Sequence, residues 1–271
     1  MPLTPRRDGT VSWHKRDRRR ALATYFGYLV GATLLLVAWR FVSDQTLWFF
    51  VADAPRQAVD LVSRMFPPQW SYADRLWEPL WDTVNIATLG TLMGIVISVP
   101  IAFLAARNTS PHPAVRQAAL VVIAFSRSVN SLIWALLLVS ILGPGVLAGI
   151  IAIGLRSVGF CTKLLYEAIE EVNPKPIEAL TATGSTGSQV VAYGIVPQVL
   201  PAFAGIILYR WYINIRSSTV VGLVGAGGIG IQLNASINAL QWDRVTVIFV
   251  MIIVLVLAAE WVSARVRGAI Q

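Results

Sequence analysis

Four arginines stand inside long apolar runs of this 271-residue chain: Arg127, Arg156, Arg210 and Arg216. A guanidinium is a planar fork of donors that grips carboxylate or phosphoryl oxygens in a bidentate way. Asn130, Ser217 and Ser218 add neutral hydrogen-bonding groups close by in the sequence. These types support recognition of an anion with several oxygens rather than bond breaking. No catalytic set and no metal-ligand spacing accompanies them. The only histidines, His14 and His112, fall outside the apolar runs, and the single cysteine, Cys161, excludes an internal disulfide and a thiolate metal site.

A second constellation invites nucleotide chemistry and fails on context. Gly225, Gly227 and Gly230, with Gly228 between, satisfy G-x-G-x-x-G after an apolar run. The phosphate-cradling turn needs a βαβ unit of about 30 residues and an acidic residue about 20 positions on. Asp243 comes too early, Glu260 too late, and Val245–Ala259 reads as membrane helix. A membrane-bound oxidoreductase built on this turn is therefore set aside. Glycines suit instead a close approach of helices, or unwound backbone beside a cavity, where their amides could meet an anion.

The elements that must position these groups are membrane helices. The chain is 56% hydrophobic and only 13% charged, about half the charge of an ordinary soluble domain. A soluble enzyme, a disordered chain and a nucleic-acid-binding domain are excluded on that ground. A bilayer core needs about 20 mostly apolar residues per helix. Such runs cover 21–42, 83–106, 190–215 and 245–264, and the stretch 117–155 is long enough for two helices joined at Gly143-Pro144-Gly145. Six spans result. The expected layout is a basic tail (1–20), a first helix (21–42), an external segment (43–82), a core of helices two to six (83–265) and a short tail (266–271).

Counted from the helix starts, Arg127 lies about 15 Å into its span, Arg210 about 22 Å and Arg216 about 31 Å, near the outer edge. No carboxylate is expected at comparable depth. Arg156 and Arg216 are equally placed to snorkel to an interface, whereas Ser126, Ser128, Asn130 and Ser131 surround Arg127 with polar groups. An ion-coupled secondary transporter of a small anion is the competing reading, but such carriers place Asp, Glu or His chains within their spans.

Basic residues set the orientation. Arg6, Arg7, Lys15, Arg16, Arg18, Arg19 and Arg20 precede the first span and put the amino terminus in the cytoplasm. Six crossings bring Arg107, Arg116, Lys163, Lys175, Arg265 and Arg267 to the same side, and the carboxyl terminus with them. The 43–82 segment is net acidic and suits the outside; Ala58, Val59, Leu61, Val62, Met65 and Phe66 form a helical stripe there, ended by Pro67-Pro68. That helix fits either the membrane interface or the rim of the bundle.

Between the fourth and fifth spans, at about 171–189, lies the longest inner polar stretch after the tail. Asn173-Pro174-Lys175-Pro176 ends one helix and starts another. Ile177–Thr183 holds helix formers, with Glu178 near the amino end where it complements the dipole. Gly184 offers a left-handed end. A short rigid helix lying across the inner face is shaped for docking into a partner.

Here the residues carry a resemblance. Glu178-Ala179-Leu180, then Gly184, then Pro197 thirteen positions on, resemble the EAA signature of permease subunits of bacterial ABC importers. That signature reads Glu-Ala-Ala, three residues, Gly, nine residues, Ile-x-Leu-Pro. Leu180 replaces the second Ala, Gly194 the Ile and Val196 the Leu. The stretches KLLYEAIEEVNPKPIEALTATG, VPQVLP and LYRWYINIRSSTVVGLVGAGGIG are similar to permeases of phosphonate-type importers, over about 125–230. The resemblance implies an all-α, six-span type I ABC importer permease in the bacterial inner membrane, with a cytoplasmic coupling helix at Glu178, Ala179, Leu180 and Gly184. It implies two ATP-binding subunits that hold ATP and Mg, a second permease copy or paralogue, and an extracytoplasmic binding protein. The cargo would be phosphonate, phosphite or phosphate. Arg127, Asn130, Arg210, Arg216, Ser217 and Ser218 are the expected path residues, and Gly225, Gly227, Gly228 and Gly230 the expected gate. With no G-x-x-x-x-G-K-[ST] sequence in this chain, hydrolysis is expected elsewhere. Membrane lipid is an expected partner and nucleic acid is not.

Overall fold

The computed structural model describes residues 3–5, 11–13 and 18–270. Two three-residue strands, β1 (Leu3–Pro5) and β2 (Val11–Trp13), pair antiparallel with Leu3 opposite Trp13; all other regular structure described is helical. The tail residues Arg6, Arg7, Lys15 and Arg16 and the side chains of Arg18, Arg19 and Arg20 lie outside the described residues. The chain divides into two units, residues 1–60 and residues 61–271.

In the first unit, α1 (Arg18–Gln45) carries a 25-residue apolar stretch, Ala21–Gln45, none of it buried. The helix α2 (Trp48–Met65) starts ten residues before the expected stripe at Ala58 and passes through Pro55. A proline inside a helix removes one backbone donor, and this helix absorbs that loss. It stops at Met65, before Pro67-Pro68, as the sequence anticipates.

In the second unit, a 3₁₀ segment (Trp70–Leu76) leads into α3 (Trp77–Ala105). That helix starts at Trp77 rather than at the expected Thr83. Glu78 and Asp82 fall in its first two turns, where the helix dipole favours carboxylates, so the charges mark the helix start. The third span departs furthest from expectation. Instead of one helix from Gln117 to Gly143, it is α4 (Pro113–Ser128) and α5 (Ser131–Leu142), bent by 85° at Val129-Asn130. Both linking residues are extended, and the Asn130 side chain caps the Leu132 amide, ending one helix and starting the next. The Gly143–Gly145 turn then leads into α6 (Val146–Glu170), as expected.

After α6 come α7 (Pro174–Ala182), a single turn α8 (Gly187–Gln189), a π-helical segment (Val190–Ile195), α9 (Val196–Gly222), α10 (Ile229–Asn238) and α11 (Trp242–Ile270). The helix α10 is not foreseen by the sequence reading. Among the described residues, five helical stretches are long and apolar enough to cross a membrane, and there are six if the bent α4–α5 pair is counted as one span.

The core of this unit is α3 against α6, flanked by α9. A Cβ on Gly94 would stand 2.6 Å from Ser157 Cβ, so only glycine lets the two helices approach this closely. On the far side of α9, Ile215 packs with Ala87 and Ala259, and Ser263 donates to the Leu208 carbonyl. This pairing corrects one expectation. Glu260, next to Ala259, lies within the bundle's middle turns, so a carboxylate does stand at a depth comparable with Arg210, on the exposed side of α11. The longer α11 displaces it inward from the position read for a helix ending near Ala264.

Candidate functional site: a docking helix, a bent span and a buried arginine

The loop before α9 holds a short helix, α7, capped at both ends. The Asn173 side chain accepts from the Lys175 amide at 3.1 Å and caps α7. At the other end, Gly184 has φ +82°, with its amide donating to Thr181 O at 3.0 Å and the Ser185 amide to Leu180 O at 3.3 Å. These paired bonds are the Schellman arrangement, which satisfies the last carbonyls of a helix. Because α7 begins at Pro174, Glu178 lies in the second turn, not at the amino end where the dipole would favour it. Glu178, Ala179 and Gly184 are exposed, whereas Ile177 and Leu180 turn inward. A Cβ on Gly194 would stand 3.1 Å from Leu180 Cδ1 and 3.5 Å from Ile177 Cγ1. Gln198, which the sequence reading passed over, clamps this helix: its Oε1 accepts from the Asn173 amide at 3.0 Å and its Nε2 donates to Gly194 O at 2.6 Å. These bonds tie the start of α7 to the start of α9. Beside this joint, Phe103, Asn108, Thr181, Ser188 and Val191 line an open groove of about 720 Å³.

The bend in the third span brings Arg127 and Asn130 against α6. The Ser126 hydroxyl accepts from the Gly159 amide at 2.9 Å and donates to the Leu155 carbonyl. These are the donor and acceptor of one helical rung of α6, so the hydroxyl sits at that rung. A Cβ on Gly159 would meet Ser126 Oγ at 2.7 Å and Arg127 Cγ at 2.8 Å; the absent side chain is what seats α4 here. Across the bend, Phe125 meets Trp134 edge-on at 6.1 Å. Arg156 Nη1 donates to Asn130 Oδ1 at 2.8 Å. Arg127 and Asn130 are exposed and Arg156 is half-buried.

Arg210 belongs to a different environment. It is 3% exposed, with Nε donating to Ser157 Oγ at 3.0 Å and its guanidinium 4.9 Å from the Phe160 ring centre. One turn on, Asn214 Nδ2 donates to Thr91 Oγ1 at 2.8 Å and Ser157 Oγ at 2.9 Å. The Asn214 Oδ1 atom is buried without a partner. Thr91 is the fifteenth of 29 residues in α3 and Ser157 the twelfth of 25 in α6, so this layer sits midway along both helices. Ser218 continues the same stripe, donating to Thr83 O at 3.2 Å. Arg216 does not: it is exposed on another face, bonded to Tyr212 at 3.0 Å. Ser217 is half-buried and returns its proton to the Ile213 carbonyl. The six expected path residues therefore split into a bend pair (Arg127 and Asn130), a buried stripe (Arg210 and Ser218), and Arg216 and Ser217 on other faces of α9. Asn214, Ser157 and Thr91 were missed; the i, i+4, i+8 spacing of Arg210, Asn214 and Ser218 was the available sign.

The glycine-rich turn closes the opposite end of α9. Gly225, Gly227 and Gly228 have φ between +73° and +92°, a region that favours glycine. Gly227 and Gly228 are buried, and the Gly225 carbonyl accepts from Gly145 at 3.0 Å. A Cβ on Gly230 would lie 2.3 Å from Thr219 O. The Ile229 amide donates to Thr83 Oγ1 at 2.8 Å. These contacts make the segment a packed joint between α3, α6 and α9.

Residues 98–270 match the family described as the binding-protein-dependent transport system inner membrane component. The chain is 42% identical over 208 residues to the phosphite transport system permease protein PtxC of Stutzerimonas stutzeri, covering 76% of this chain and 75% of that protein. It is 40% identical over 215 residues to the phosphate-import permease protein PhnE of Mycolicibacterium smegmatis, covering 79% of this chain and 40% of that protein. A chain in a structure of the MetNI methionine ABC transporter, inward facing, matches with a TM-score of 0.63 at 21% identity, over 72% of this chain and 96% of that one. The fold is thus that of ABC importer permeases, which the competing ion-coupled carrier does not share. The matched residues take in the bend, α7, the glycine turn and the Arg210 layer apart from Thr91, and the chain belongs to the binding-protein-dependent transport system inner membrane component family.

Proposed function

We propose that this chain is the membrane half of an ATP-driven importer that carries phosphite, phosphonate or phosphate into the cell. The observation that carries the reading is α7: capped at both ends, exposed along Glu178 and Ala179, and bolted to Gln198 of α9 and to Gly194 of the π-helical segment before it. A helix so fixed moves the start of α9 when an external body pushes it. In this reading the body is a pair of ATP-binding subunits, which hold the ATP and Mg. Two permease halves, identical or paralogous, enclose the path, and an extracytoplasmic binding protein delivers the anion. Both termini and α7 then face the cytoplasm, and the glycine turn faces outward. The cargo class follows the names of the two relatives and the guanidiniums presented at mid-span.

The test is reconstitution into proteoliposomes with the ATPase and binding protein from the same source. Uptake of labelled phosphite, phosphate or methylphosphonate should require ATP and both partners. Uptake by the chain alone, driven by a proton or sodium gradient, would overturn the reading.

A further inference from the structure

Non-helical backbone and two guanidinium side chains lie together on the surface of the bundle at mid-span. Arg156 is the eleventh of 25 residues in α6, within about 3 Å of the helix midpoint at 1.5 Å per residue. Its partner Asn130 sits at the bend, where Val129 and Asn130 are both extended. Lipid tails satisfy neither an open backbone nor a cation, so at this depth such a surface faces protein or a water-filled path. Among the described residues, neither Arg127 nor Arg156 has a carboxylate within 4.0 Å.

We propose that Arg156 is an oxyanion ligand inside the transport path and that Asn130 is its positioning residue. Arg127 is the next cation on the same face, its stem lying over Gly159 one turn further along α6. The proposal rests on the transport reading above. The geometry assigns the roles. Asn130 Oδ1 is held by the Leu132 amide and the Ser131 hydroxyl, both at 3.3 Å, and takes one guanidinium N–H of Arg156 at 2.8 Å. The fork is thereby oriented, while its other donors remain for a ligand. Because the carboxamide is neutral, the positive charge is kept whole for an anion that offers two oxygens to the fork. Arg210, enclosed between α6 and α9 with Phe160 on its face, takes no part in this site.

A substitution that keeps the cap and the acceptor but adds a negative charge isolates the claim. Asp, Asn and Ser cap helices about equally well. Asn130→Asp would place a carboxylate against Arg156 and neutralise it, whereas Asn130→Ser keeps a neutral cap. The assay uses the reconstituted complex, with whichever of phosphite, phosphate or methylphosphonate the wild type carries as the probe. Asn130→Asp should lower uptake roughly tenfold or more, with ATPase activity stimulated by the binding protein within about twofold of wild type. Asn130→Ser keeps the cap but withdraws the acceptor without adding charge, so its uptake should fall between wild type and Asn130→Asp, and Arg156→Lys should exceed Arg156→Gln. Wild-type uptake by Asn130→Asp or by Asn130→Ser would overturn the proposal, as would equal loss in the two variants together with lost thermal stability. If the wild type carries none of the three anions, the transport reading itself fails first and the site falls with it.

Discussion

The side chain of Leu180 occupies the space above the α-carbon of Gly194, where a methyl group would stand 3.1 Å from Leu180 Cδ1. In the signature this loop resembles, the first position is Ala and the second Ile. The two departures are therefore one exchange: bulk removed from the π-helical segment before α9 is replaced by bulk on α7, and the contact between the two is kept.

Restoring only one half of that exchange should damage coupling. Forcing extra methylenes into a filled contact costs about 1–3 kcal/mol. Gly194→Ile is expected to lower ATP-dependent uptake roughly tenfold, and adding Leu180→Ala to bring it back within about threefold of wild type. The check is a double-mutant cycle on uptake; strictly additive losses would show that the two residues do not share a contact.

Gly184→Pro should uncouple the transporter. Proline fixes φ near −65° and has no amide proton, whereas Gly184 has φ +82° and donates to Thr181 O. Uptake should be lost while membrane insertion, read by protease protection, stays normal. Gly184→Asn tolerates the left-handed region and should retain much of the activity.

Arg210 and Arg127 should separate by stability. Arg210 is enclosed and bonded to Ser157, so Arg210→Ala removes a charged hydrogen bond from the buried layer, at a cost of about 1.5–3 kcal/mol, while Ser157 keeps its bonds to Ile153 and Asn214. A lower melting temperature in detergent, with ATPase activity and uptake falling together, is the expected result. Arg127→Ala, on an exposed side chain, should leave the melting temperature unchanged and lower uptake alone.

The glycine turn predicts a contrast between two alanine substitutions. Gly230→Ala sets a Cβ 2.3 Å from the Thr219 carbonyl, a backbone atom that no rotamer change relieves, whereas a Cβ on Gly205 meets nothing within 4 Å. Gly230→Ala should fail to accumulate in membranes, and Gly205→Ala should accumulate and transport normally. Quantitative blotting of membrane fractions distinguishes them.

The spans, the short helix α7 and the dismissal of the dinucleotide motif were legible in the residues because each rests on local properties. Twenty apolar residues need no partner to declare a membrane helix, and Asn173-Pro174 and Gly184 act on their own backbone. The 85° bend at Asn130 was not legible, since an asparagine between Val129 and Ser131 is compatible with a continuous helix until its cap and Arg156 are both in place. The same holds for the arginines: depth along a helix follows from counting, but direction around it depends on neighbours. Only packing put Arg210 inside with Ser157 and Asn214, left Arg156 at the surface under Asn130, and brought Glu260 among the middle turns. Composition decides that a chain enters the bilayer; which of its charges meet the path is decided by helices far apart in the sequence, because a guanidinium takes whatever acceptor the adjoining helix presents.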